Sequence, residues 1–567
     1  MRRTETLLTT GAAAWRQPVE RIAELSAAQQ VRMIRALTAR LARDGAPDGT
    51  PPRHVETHIS HVLLHAGHAY KVKKVLTTPF LDQSTLARRR FACAEEVRLN
   101  RRLAPRTYLD VVDITGTVDA PALGGGDPVL DVAVRMRAFD EDALWDRLAE
   151  RRALRDDDID DLAATLARFH GVAGIATLDG GFGAPTQVRP ALLDSLRDLR
   201  AGLRGGDGPD AAAIGIVGRL QQWEAEVFPA LEASMARRLA AGRVREGHGD
   251  LHLGNVARDA GHALAFDGIE FDAGLRWIDV MSDVAFMTMD LHAHDLPALA
   301  HRFVDTYLQH SGDYDGMGVL GYYLVHRALV RAKVALLRAT QAAAAGQDAS
   351  LRSVRRYLDL ARRLTLPRPR ALLITHGLSG SGKTTLTQGL LERLGAPRVR
   401  SDIERKRLAG LAPLQASHSA PAGGIYVPAM NDATQQRLLA AAGSVLAAGW
   451  PVILDATFLR RADRDAARRC AGEFGVPFFI LDFQAPPETL ALRLRQRALT
   501  TRDASEADQT VLEMQARMQD ALGPDECGEV HRVHAASTGA PNAPVDWTGL
   551  FARIDAAAAG GTWARAT

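Results

Sequence analysis

The stretch ALLITHGLSGSGKTTLTQGLLERL, residues 371–394, decides the fold of the second half of the chain. It begins with an apolar run that predicts a buried strand, continues through a glycine-rich loop, and ends with a segment that predicts a helix. From Gly377 to Thr384 it fits the pattern GxxxxGK(S/T), in the strand–loop–helix context that this pattern requires. Further apolar runs (PRVRSD, WPVILD, PFFILDF and HRVHAA) alternate with helical stretches. The pattern predicts an α/β domain with a parallel sheet and a phosphate-binding loop at its carboxyl edge.

The chemistry of this loop is phosphate binding. Glycines let backbone N–H groups approach phosphate oxygens closely, and the N-terminus of a helix adds a favourable partial charge. We expect Lys383 to reach the outer phosphates and the hydroxyl of Thr384 to bind Mg2+. The predicted cofactors are therefore ATP and Mg2+. The candidate ATP-binding residues of the loop are Gly377, Ser379, Gly380, Ser381, Gly382, Lys383 and Thr384.

Four more side chains in this half are candidates for phosphoryl transfer. Asp455 ends the apolar run PVILD and Asp402 ends VRSD, at the sheet edge where ligands of such folds bind. Asp455 would orient Mg2+ through water and Asp402 would act in catalysis, although either could instead be a helix cap. Arg493 and Arg497 are one helical turn apart, so they could face the same transferring phosphate or a solvated helix face.

Residues 370–540 resemble the small-molecule P-loop kinases of the gluconate and shikimate kinase type. The resemblance lies in the P-loop, in SDxxR at the end of a strand (Ser401 to Arg405), and in RLxxR (Arg493 to Arg497). It implies that Asp402 contacts the hydroxyl of the acceptor and that the two arginines close over ATP. These roles are expectations from the resemblance.

A second motif, HGDLHLGN, begins at His248 and points to phosphoryl transfer by another route. Asp250 precedes Asn255 by five residues, the spacing found in kinase catalytic loops. Asp250 would accept the proton of a substrate hydroxyl, and Asn255 would bind Mg2+. The following residues predict a hairpin (NVA, turn RDAGH, ALAFD) that brings Asp267, the second candidate metal ligand, next to Asn255.

Candidate phosphate ligands of this half lie in AYKVKK. Lys71 and Lys73 share one face of a predicted strand, because side chains alternate along a strand. Either lysine could bind the ATP phosphates, or both could lie on a solvated face. The next predicted helix offers Glu95 or Glu96 as the partner of a lysine–glutamate ion pair, with Glu96 as the candidate ATP-site residue.

Residues 50–365 resemble the aminoglycoside phosphotransferase and choline kinase branch of the kinase-like fold, on the strength of HGDLHLGN. The resemblance implies a base at Asp250, metal ligands at Asn255 and Asp267, and a structural role for Asp283. His-Gly-Asp replaces the HRD of protein kinases, which favours a small-molecule kinase, and no GxGxxG loop is present to cover the phosphates. The whole chain resembles bacterial bifunctional proteins that join an aminoglycoside phosphotransferase-like domain to a P-loop ATP-binding (AAA-family) domain.

The predicted fold class is therefore an α+β, protein-kinase-like, two-lobed N-terminal domain followed by an α/β P-loop domain. A proline-rich segment, LTLPRPRA, separates the two. The predicted divisions are a helical segment (1–50), a kinase-like domain (51–365, with a small lobe of about 51–138 and a large lobe of about 139–365), a linker (366–370), a P-loop kinase domain (371–540) and a C-terminal tail (541–567).

Composition limits the remaining classes of function. The formal net charge of the 567 residues is only +3, which disfavours a nucleic-acid partner. Three widely spaced cysteines predict a reducing, cytoplasmic compartment, and without a run of about 18 apolar residues we expect no membrane partner. The sequence predicts a bifunctional kinase acting on hydroxyl groups of small polar molecules, either sugar-like or aminoglycoside-like. Alternatively, one half is an ATP-binding regulator or a ligand sensor.

Overall fold

The structure is a computed structural model that describes residues 24–47, 49–78, 81–204, 210–341, 344–419, 423–498, 504–534 and 545–560. The chain divides into two compact units. One unit is Met1–Phe139 together with Glu270–Asp272, and the other is Asp140–Ile269 together with Ala273–Thr567.

An antiparallel sheet forms the centre of the first unit. Its strands and helices are β1 (Arg53–Glu56), β2 (Ser60–His65), β3 (His68–Lys73), β4 (Thr77–Thr78), β5 (Leu81–Asp82), β6 (Tyr108–Thr117), β7 (Ala120–Leu123), β8 (Val129–Arg137), α1 (Ala27–Asp44) and α2 (Leu86–Asn100). Among the described residues, six strands pair in the order β1-β2-β3-β8-β6-β7. The runs HISHVLLH and HAYKVKKVL, separated at Ala66 and Gly67, predict a hairpin, and this is confirmed because β2 and β3 pair across these two residues, both with positive φ. Strand β7 is a correction, since the sequence predicted only a glycine-rich turn between β6 and β8.

Helix α1 begins later than the sequence predicted. The apolar spacing predicts a helix over residues 15–44; residues 15–23 of that prediction lie outside the described residues, and in the described part the helix begins at Ala27 rather than at residue 24. Ser26 and Gln29 form a capping box that ends the helix on its N-terminal side. The apolar face of α1 packs into the core of the sheet through Met33, Ile34, Leu37 and Leu41.

The first part of the second unit is mainly helical. Its elements are α3 (Trp145–Glu150), α4 (Asp156–Val172), α5 (Pro185–Gly202), α6 (Ala211–Ala240), β9 (Val244–Glu246), β10 (Val256–Asp259), β11 (His262–Ala265), α7 (Ala273–Arg276), β12 (Trp277–Asp279), α8 (Val280–Ala293), α9 (Pro297–Ser311), α10 (Met317–Gln341) and α11 (Ala344–Leu364). The periodicity of the sequence predicts helices up to about residue 241, short strands and loops over about 244–280, and helices again through 364, and the elements confirm this order.

The rest of this unit is a parallel α/β domain. Its elements are β13 (Leu372–His376), α12 (Lys383–Leu394), β14 (Arg398–Arg400), α13 (Ser401–Leu408), α14 (Pro428–Ala447), β15 (Val452–Asp455), α15 (Arg461–Glu473), β16 (Phe478–Gln484), α16 (Pro487–Ala498), α17 (Gln509–Met518), β17 (Val530–His534) and α18 (Thr548–Gly560). Within the described residues, five strands pair in parallel in the order β14-β15-β13-β16-β17. All five predicted strands are confirmed. Their carboxyl ends meet at one edge, where the glycine-rich loop lies.

One face of the parallel sheet is covered by α12 and α18. Leu390 and Leu391 of α12 belong to the same buried cluster as Leu550 and Ile554 of α18. The cluster also contains Trp547, so residues beyond 540 contribute to the core of this domain. Burial of this kind contributes about 25 cal/mol for each Å² of apolar surface removed from water.

These arrangements confirm both parts of the predicted fold class. None of the helices in the described part of the chain combines the length and the hydropathy that a membrane span needs.

Candidate active sites

The loop between β13 and α12 has a backbone that requires glycine. Gly377, Gly380 and Gly382 have φ angles of 135°, 84° and 91°. A Cβ atom on Gly377 would lie 2.5 Å from the carbonyl oxygen of Phe483, so no larger residue fits there. The hydroxyl of Ser381 is buried and makes no hydrogen bond to a described residue. The loop leads directly into the N-terminus of α12, where the partial positive charge of the helix favours an anion.

The structure brings Thr384 and Asp455 together at the start of α12. The Thr384 hydroxyl donates to Asp455 Oδ2 at 2.7 Å. Asp455 is buried at the end of β15, and α15 has no side-chain cap, so Asp455 is not the cap of that helix. Lys383 Nζ donates to the carbonyl oxygens of Gly377 (2.9 Å) and Leu378 (2.8 Å). A hydroxyl and a carboxylate are hard oxygen donors that suit Mg2+.

The other candidates of this domain lie around the same edge. Asp402 is in the first turn of α13 without capping it, and Arg405 Nη1 lies 3.6 Å from Asp402 Oδ1. Arg493 Nη1 donates to the carbonyl oxygen of Gly380 at 3.4 Å, which brings this arginine to the loop. The side chain of Arg497 lies outside the described residues, so its predicted role stays a prediction.

Sequence reasoning missed Arg400 and the pair His376–Asp482. Arg400 is the register partner of Asp455, and its Nε lies 3.7 Å from Asp455 Oδ2. His376 Nδ1 lies 2.7 Å from Asp482 Oδ1. Burial alone would raise the pKa of Asp482, but the hydrogen bonds from His376 and Gln484 and the charges of His376 and Arg532 together lower it. These pairs depend on which strands are neighbours, which the linear pattern does not reveal.

A cavity of about 350 Å³ lies beside the glycine-rich loop. His376, Asp482 and Arg532 occupy the same level of three adjacent strands, β13, β16 and β17. All three line the cavity, together with Gly377 and Ser381 of the loop. The cavity gives the candidate nucleotide site a polar wall.

In the first unit, both candidate lysines are buried and paired. Lys71 Nζ donates to Glu96 Oε1 at 2.9 Å, and Lys73 pairs with both Glu96 and Glu270. This excludes the solvated-face interpretation of the two lysines. Glu96, rather than Glu95, is the partner. Burial would raise the pKa of Glu96, but the charges of Lys71 and Lys73 lower it to about 2.

Glu270 is a residue that the sequence analysis did not identify. Burial raises its pKa, although Lys73 opposes that change. Two carboxylates and two ammonium groups therefore share one buried cluster in this unit, which balances the charge of the two lysines. The side chain of Lys71 is 9% exposed and that of Lys73 is fully buried. Lys71 is thus the more accessible of the two.

The catalytic-loop motif of the second unit holds Asp250 and Asn255 in contact. Asn255 Nδ2 donates to the backbone carbonyl of Asp250 at 2.9 Å and to Asp250 Oδ2 at 3.1 Å. His252 Nε2 lies 3.5 Å from Asp250 Oδ2. Burial would raise the pKa of Asp250, but the charge and hydrogen bond of His252 outweigh it and hold the pKa below its usual range. Asp250 is therefore ionised at neutral pH.

The predicted hairpin after Asn255 is confirmed. Strands β10 and β11 pair antiparallel, and Phe266 N donates to the carbonyl oxygen of Asn255 at 3.0 Å. Asp267 directly follows Phe266 and has a φ of 61°, a left-handed conformation that is uncommon for aspartate. The hairpin thus brings the backbone next to Asp267 against Asn255. Among the described residues, no cluster of three or more His, Cys, Asp or Glu side chains could hold a metal, so each candidate Mg2+ site would rely on hydroxyl, amide or water oxygens as well.

Asp283 holds the backbone of the catalytic loop in place. Its two carboxylate oxygens accept hydrogen bonds from His248 N (2.7 Å) and Gly249 N (2.9 Å). Gly249 has a φ of 84°, and a Cβ there would lie 2.6 Å from the carbonyl oxygen of Leu275. This close approach explains why glycine stands where protein kinases have the arginine of HRD. The structural role implied for Asp283 agrees with this geometry.

The hydrogen bonds between Asp283 and the catalytic loop predict that the free energy of unfolding depends on pH. Burial raises the pKa of Asp283, but the hydrogen bond to His170 and the charges of His170 and His248 outweigh it and lower the pKa from 3.8 to about 2. At about 1.36 kcal/mol per pH unit this corresponds to roughly 2 kcal/mol. Because the folded-state pKa is depressed, this stability is present above about pH 4 and is lost as the pH falls towards about 2.

Urea unfolding of the wild type and of Asp283→Asn tests this expectation. At pH 7 we expect the variant to be less stable by about 2 kcal/mol. The difference should shrink when both proteins are measured at pH 3. A difference that is the same at both pH values would assign the effect to lost hydrogen bonds instead of lost charge.

Helix α9 contacts both halves of this unit. Tyr307 OH lies 2.9 Å from His170 Nδ1, and His170 Nε2 lies 3.2 Å from Asp283 Oδ2, beneath the catalytic loop. On the same helix, buried Asp305 accepts a hydrogen bond from Arg398 N at 2.7 Å. The side chain of Arg398 in turn donates to the carbonyl oxygen of Thr384 in α12. One helix therefore links the supports of both candidate sites.

Residues 372–522 match the family model described as an AAA domain. Residues 372–522 are called the AAA domain below, after the family model that they match. Over 453 residues, an uncharacterized protein of Mycobacterium tuberculosis is 29% identical to this chain, covering 79% of it and 87% of the relative. Since these residues far exceed the AAA domain, the similarity extends into the other half of the chain.

Two solved structures are similar to different parts of the chain. A choline kinase from Cryptosporidium parvum covers 57% of this chain and 94% of its own, with a TM-score of 0.37 and 9% identity. A gluconokinase from Sinorhizobium meliloti covers 30% of this chain and 86% of its own, with a TM-score of 0.21 and 23% identity.

Proposed function

We propose that the chain is a small-molecule kinase with two phosphotransfer sites, each moving the γ-phosphoryl group of Mg-ATP to a hydroxyl of a small polar acceptor. The observation that carries the proposal is the contact of Thr384 with Asp455 at 2.7 Å, between side chains 71 residues apart. It lies beside a loop whose glycines leave room for phosphate. A hydroxyl–carboxylate pair in this position supports Mg-nucleotide binding.

In the AAA domain, the residues act by positioning and by charge. Mg-ATP, when bound, supplies the phosphoryl group and a cation that neutralises its developing charge. Thr384 and Asp455 would hold the cation, directly and through water. Lys383 would exchange its two carbonyl partners for phosphate oxygens. Asp402 would orient the acceptor hydroxyl, while Arg493 and Arg497 would face the transferring phosphate.

At the other site, Asp250 would orient the acceptor hydroxyl and accept its proton. Its depressed pKa makes it a weak base, so its main contribution is orientation. Asn255 and Asp267 would hold Mg2+. In the first unit, Lys71 is our candidate for the ATP phosphates because it is the less buried lysine, with Lys73 and Glu96 holding it in place.

A second candidate function is regulatory: ATP binding in the AAA domain would control the site at Asp250, or the reverse. The buried contacts of α9 favour this alternative, because Asp305 and Tyr307 of one helix reach the supports of both sites. A structural change at the supports of one site would therefore be transmitted through α9 to the supports of the other site.

One experiment separates the two candidates. Wild type, Asp250→Ala and Lys383→Ala are screened for ATP-dependent phosphorylation of sugars, sugar acids, sugar phosphates and aminoglycosides. If each substitution removes a different activity, the chain has two kinase sites. If Lys383→Ala removes all turnover, the AAA domain carries catalysis or gates it. The proposal fails if neither substitution alters ATP consumption.

A further inference from the structure

Three arginines form a row on one face of α10. Arg327, Arg331 and Arg338 lie within about 40° of one another on the helix, at about 100° per residue. Arg327 is buried, Arg331 is half-buried and Arg338 is exposed. The row therefore runs from the interior of the second unit to its surface.

The buried end of the row lies behind the catalytic loop. The guanidinium carbon of Arg327 is 4.7 Å from the centroid of the Phe286 ring. The same ring lies 5.6 Å from the ring of His252, which in turn lies 3.5 Å from Asp250. Arg327 Nε also donates to Ser282 Oγ at 3.2 Å. The Phe286 ring therefore lies between Arg327 and His252, and His252 lies beside the candidate base Asp250.

Arg331 reaches the other end of the catalytic loop. Its Nε donates to Tyr357 OH at 3.4 Å, and Tyr357 OH donates to Asp290 Oδ1 at 3.1 Å. The second oxygen of Asp290 accepts from Leu253 N at 3.0 Å. Leu253 lies three residues after Asp250, so Arg331 and the catalytic loop share a short network of hydrogen bonds.

The three arginines of this row lie near three carboxylates, Asp250, Asp283 and Asp290. Asp283 and Asp290 already accept hydrogen bonds from the loop backbone. Burial lowers the pKa of Arg327 despite the charges of Asp283 and Asp250. The pKa of Arg338 is lowered by partial desolvation and by the charge of Arg331. The positive charge of Arg331 helps to lower the pKa of Asp250.

The guanidinium groups of Arg327 and Arg331 also have N–H groups that are available to bind a ligand. The hydrogen bonds that Arg327 and Arg331 make to described residues come from Nε, so the paired terminal nitrogens of each guanidinium have none within the described part of the chain. A forked guanidinium with free terminal N–H groups matches the two oxygens of a carboxylate or a phosphate. Positive charge with spare donors is thus available beside the candidate base.

We propose that the acceptor used at Asp250 is an anion: a hydroxyl compound whose phosphate or carboxylate is bound by Arg331 and Arg338. This inference rests on the proposed phosphotransfer at Asp250. The acceptor oxygen forms a bond to the γ-phosphorus of ATP while the bond from that phosphorus to the β–γ bridging oxygen breaks. ADP leaves, and the hydroxyl proton passes to Asp250 and then to solvent. The same charge opposes cationic acceptors such as aminoglycosides.

Four acceptors test the proposal in the full-length protein: glucose 6-phosphate, gluconate, glucose and kanamycin. The Lys383→Met background is used, so that turnover at the AAA domain does not contribute. We expect kcat/KM to be at least about tenfold higher for one of the two anions than for glucose, and lowest for kanamycin. The two anions distinguish phosphate from carboxylate. Asp250-dependent turnover that favours glucose or kanamycin overturns the anionic acceptor but leaves the kinase proposal intact.

Substitutions of the arginines on α10 test the proposal in a second way. Arg331→Gln and Arg338→Gln should each lower kcat/KM for the preferred anion by about 10- to 100-fold, a loss at least about fivefold larger than the loss for glucose. Lys333→Gln is the matched control, because Lys333 lies on another face of α10 and pairs with Asp198. Equal losses for all four acceptors would mean that the arginines only support the loop, which also overturns the proposal.

Binding measured without turnover completes the test. Calorimetry with glucose 6-phosphate and gluconate uses Asp250→Asn, Lys383→Met, with and without Arg331→Gln. We expect at least one anion to bind and its affinity to fall by about tenfold or more with Arg331→Gln. If neither anion binds, the inference is wrong whatever the assays of turnover give. If an anion binds through Arg331 but no acceptor is phosphorylated, the anion site stands and the phosphotransfer at Asp250 fails.

Discussion

Replacing Asp250 by asparagine is expected to lower kcat at the catalytic-loop site by about 100- to 10,000-fold. The amide keeps the size of the side chain, and its carbonyl oxygen can still accept the hydrogen bond from Asn255 Nδ2, but it cannot take up the hydroxyl proton and carries no negative charge. Because Mg-ATP would be held chiefly by other residues, KM for ATP should change by less than about threefold. Initial rates with the best acceptor of the screen measure both parameters.

Asp259→Asn is the matched control for this prediction. It makes the same chemical change at the end of β10, nine residues further along the chain. We expect its rates to lie within about twofold of wild type. A loss in Asp250→Asn that appears mainly in KM for ATP would contradict the role of Asp250 as the residue that orients the acceptor.

The features that sequence predicts best are those specified by local spacing. The five-residue separation of Asp250 and Asn255 and the hairpin that follows depend on contiguous residues; the structure forms the predicted hairpin and places the two side chains in contact. The P-loop is similar, because its glycines and Lys383 lie in one short segment between a strand and a helix. The geometry of such a motif is set mainly by the residues of the motif itself.

Pairings between distant elements could not be predicted in the same way. Arg400 meets Asp455 only because β14 and β15 are neighbours in the sheet. Glu270 meets Lys73 across almost two hundred positions of the sequence. A strand pattern shows which face a side chain takes but not which strand lies beside it. For this reason the alternation in AYKVKK left the solvated-face interpretation open, and only the buried carboxylates exclude it.

The start of α1 shows a different limit. Apolar spacing predicted that residues 24–26 belong to the helix, but in the described part of the chain the helix begins at Ala27. The capping box of Ser26 and Gln29 is also a sequence signal, and it overrides the periodicity because it satisfies backbone N–H groups that a continuing helix would use. Helix boundaries thus depend on single polar residues more than on the apolar pattern.

Replacing Lys383 by methionine is expected to lower turnover at the AAA domain by about 100- to 1,000-fold. Methionine is close to lysine in length but removes the ammonium group that now bonds two loop carbonyls and would reach the phosphates. Loss of that charge weakens binding of the triphosphate and of the transition state together, so KM for ATP should rise while kcat falls. Steady-state rates and calorimetry of ATP binding measure the two effects.

Arg393→Gln is the control for Lys383→Met, because it removes one positive charge near the far end of the same helix, where Arg393 covers the ring of Phe551. We expect it to leave kcat and KM within about twofold of wild type. A general electrostatic effect of the helix on ATP would lower activity in both variants. Loss confined to Lys383→Met instead assigns the effect to an ammonium group at the N-terminus of α12, beside the Thr384–Asp455 pair. Normal turnover in Lys383→Met would remove the AAA domain from the proposed chemistry.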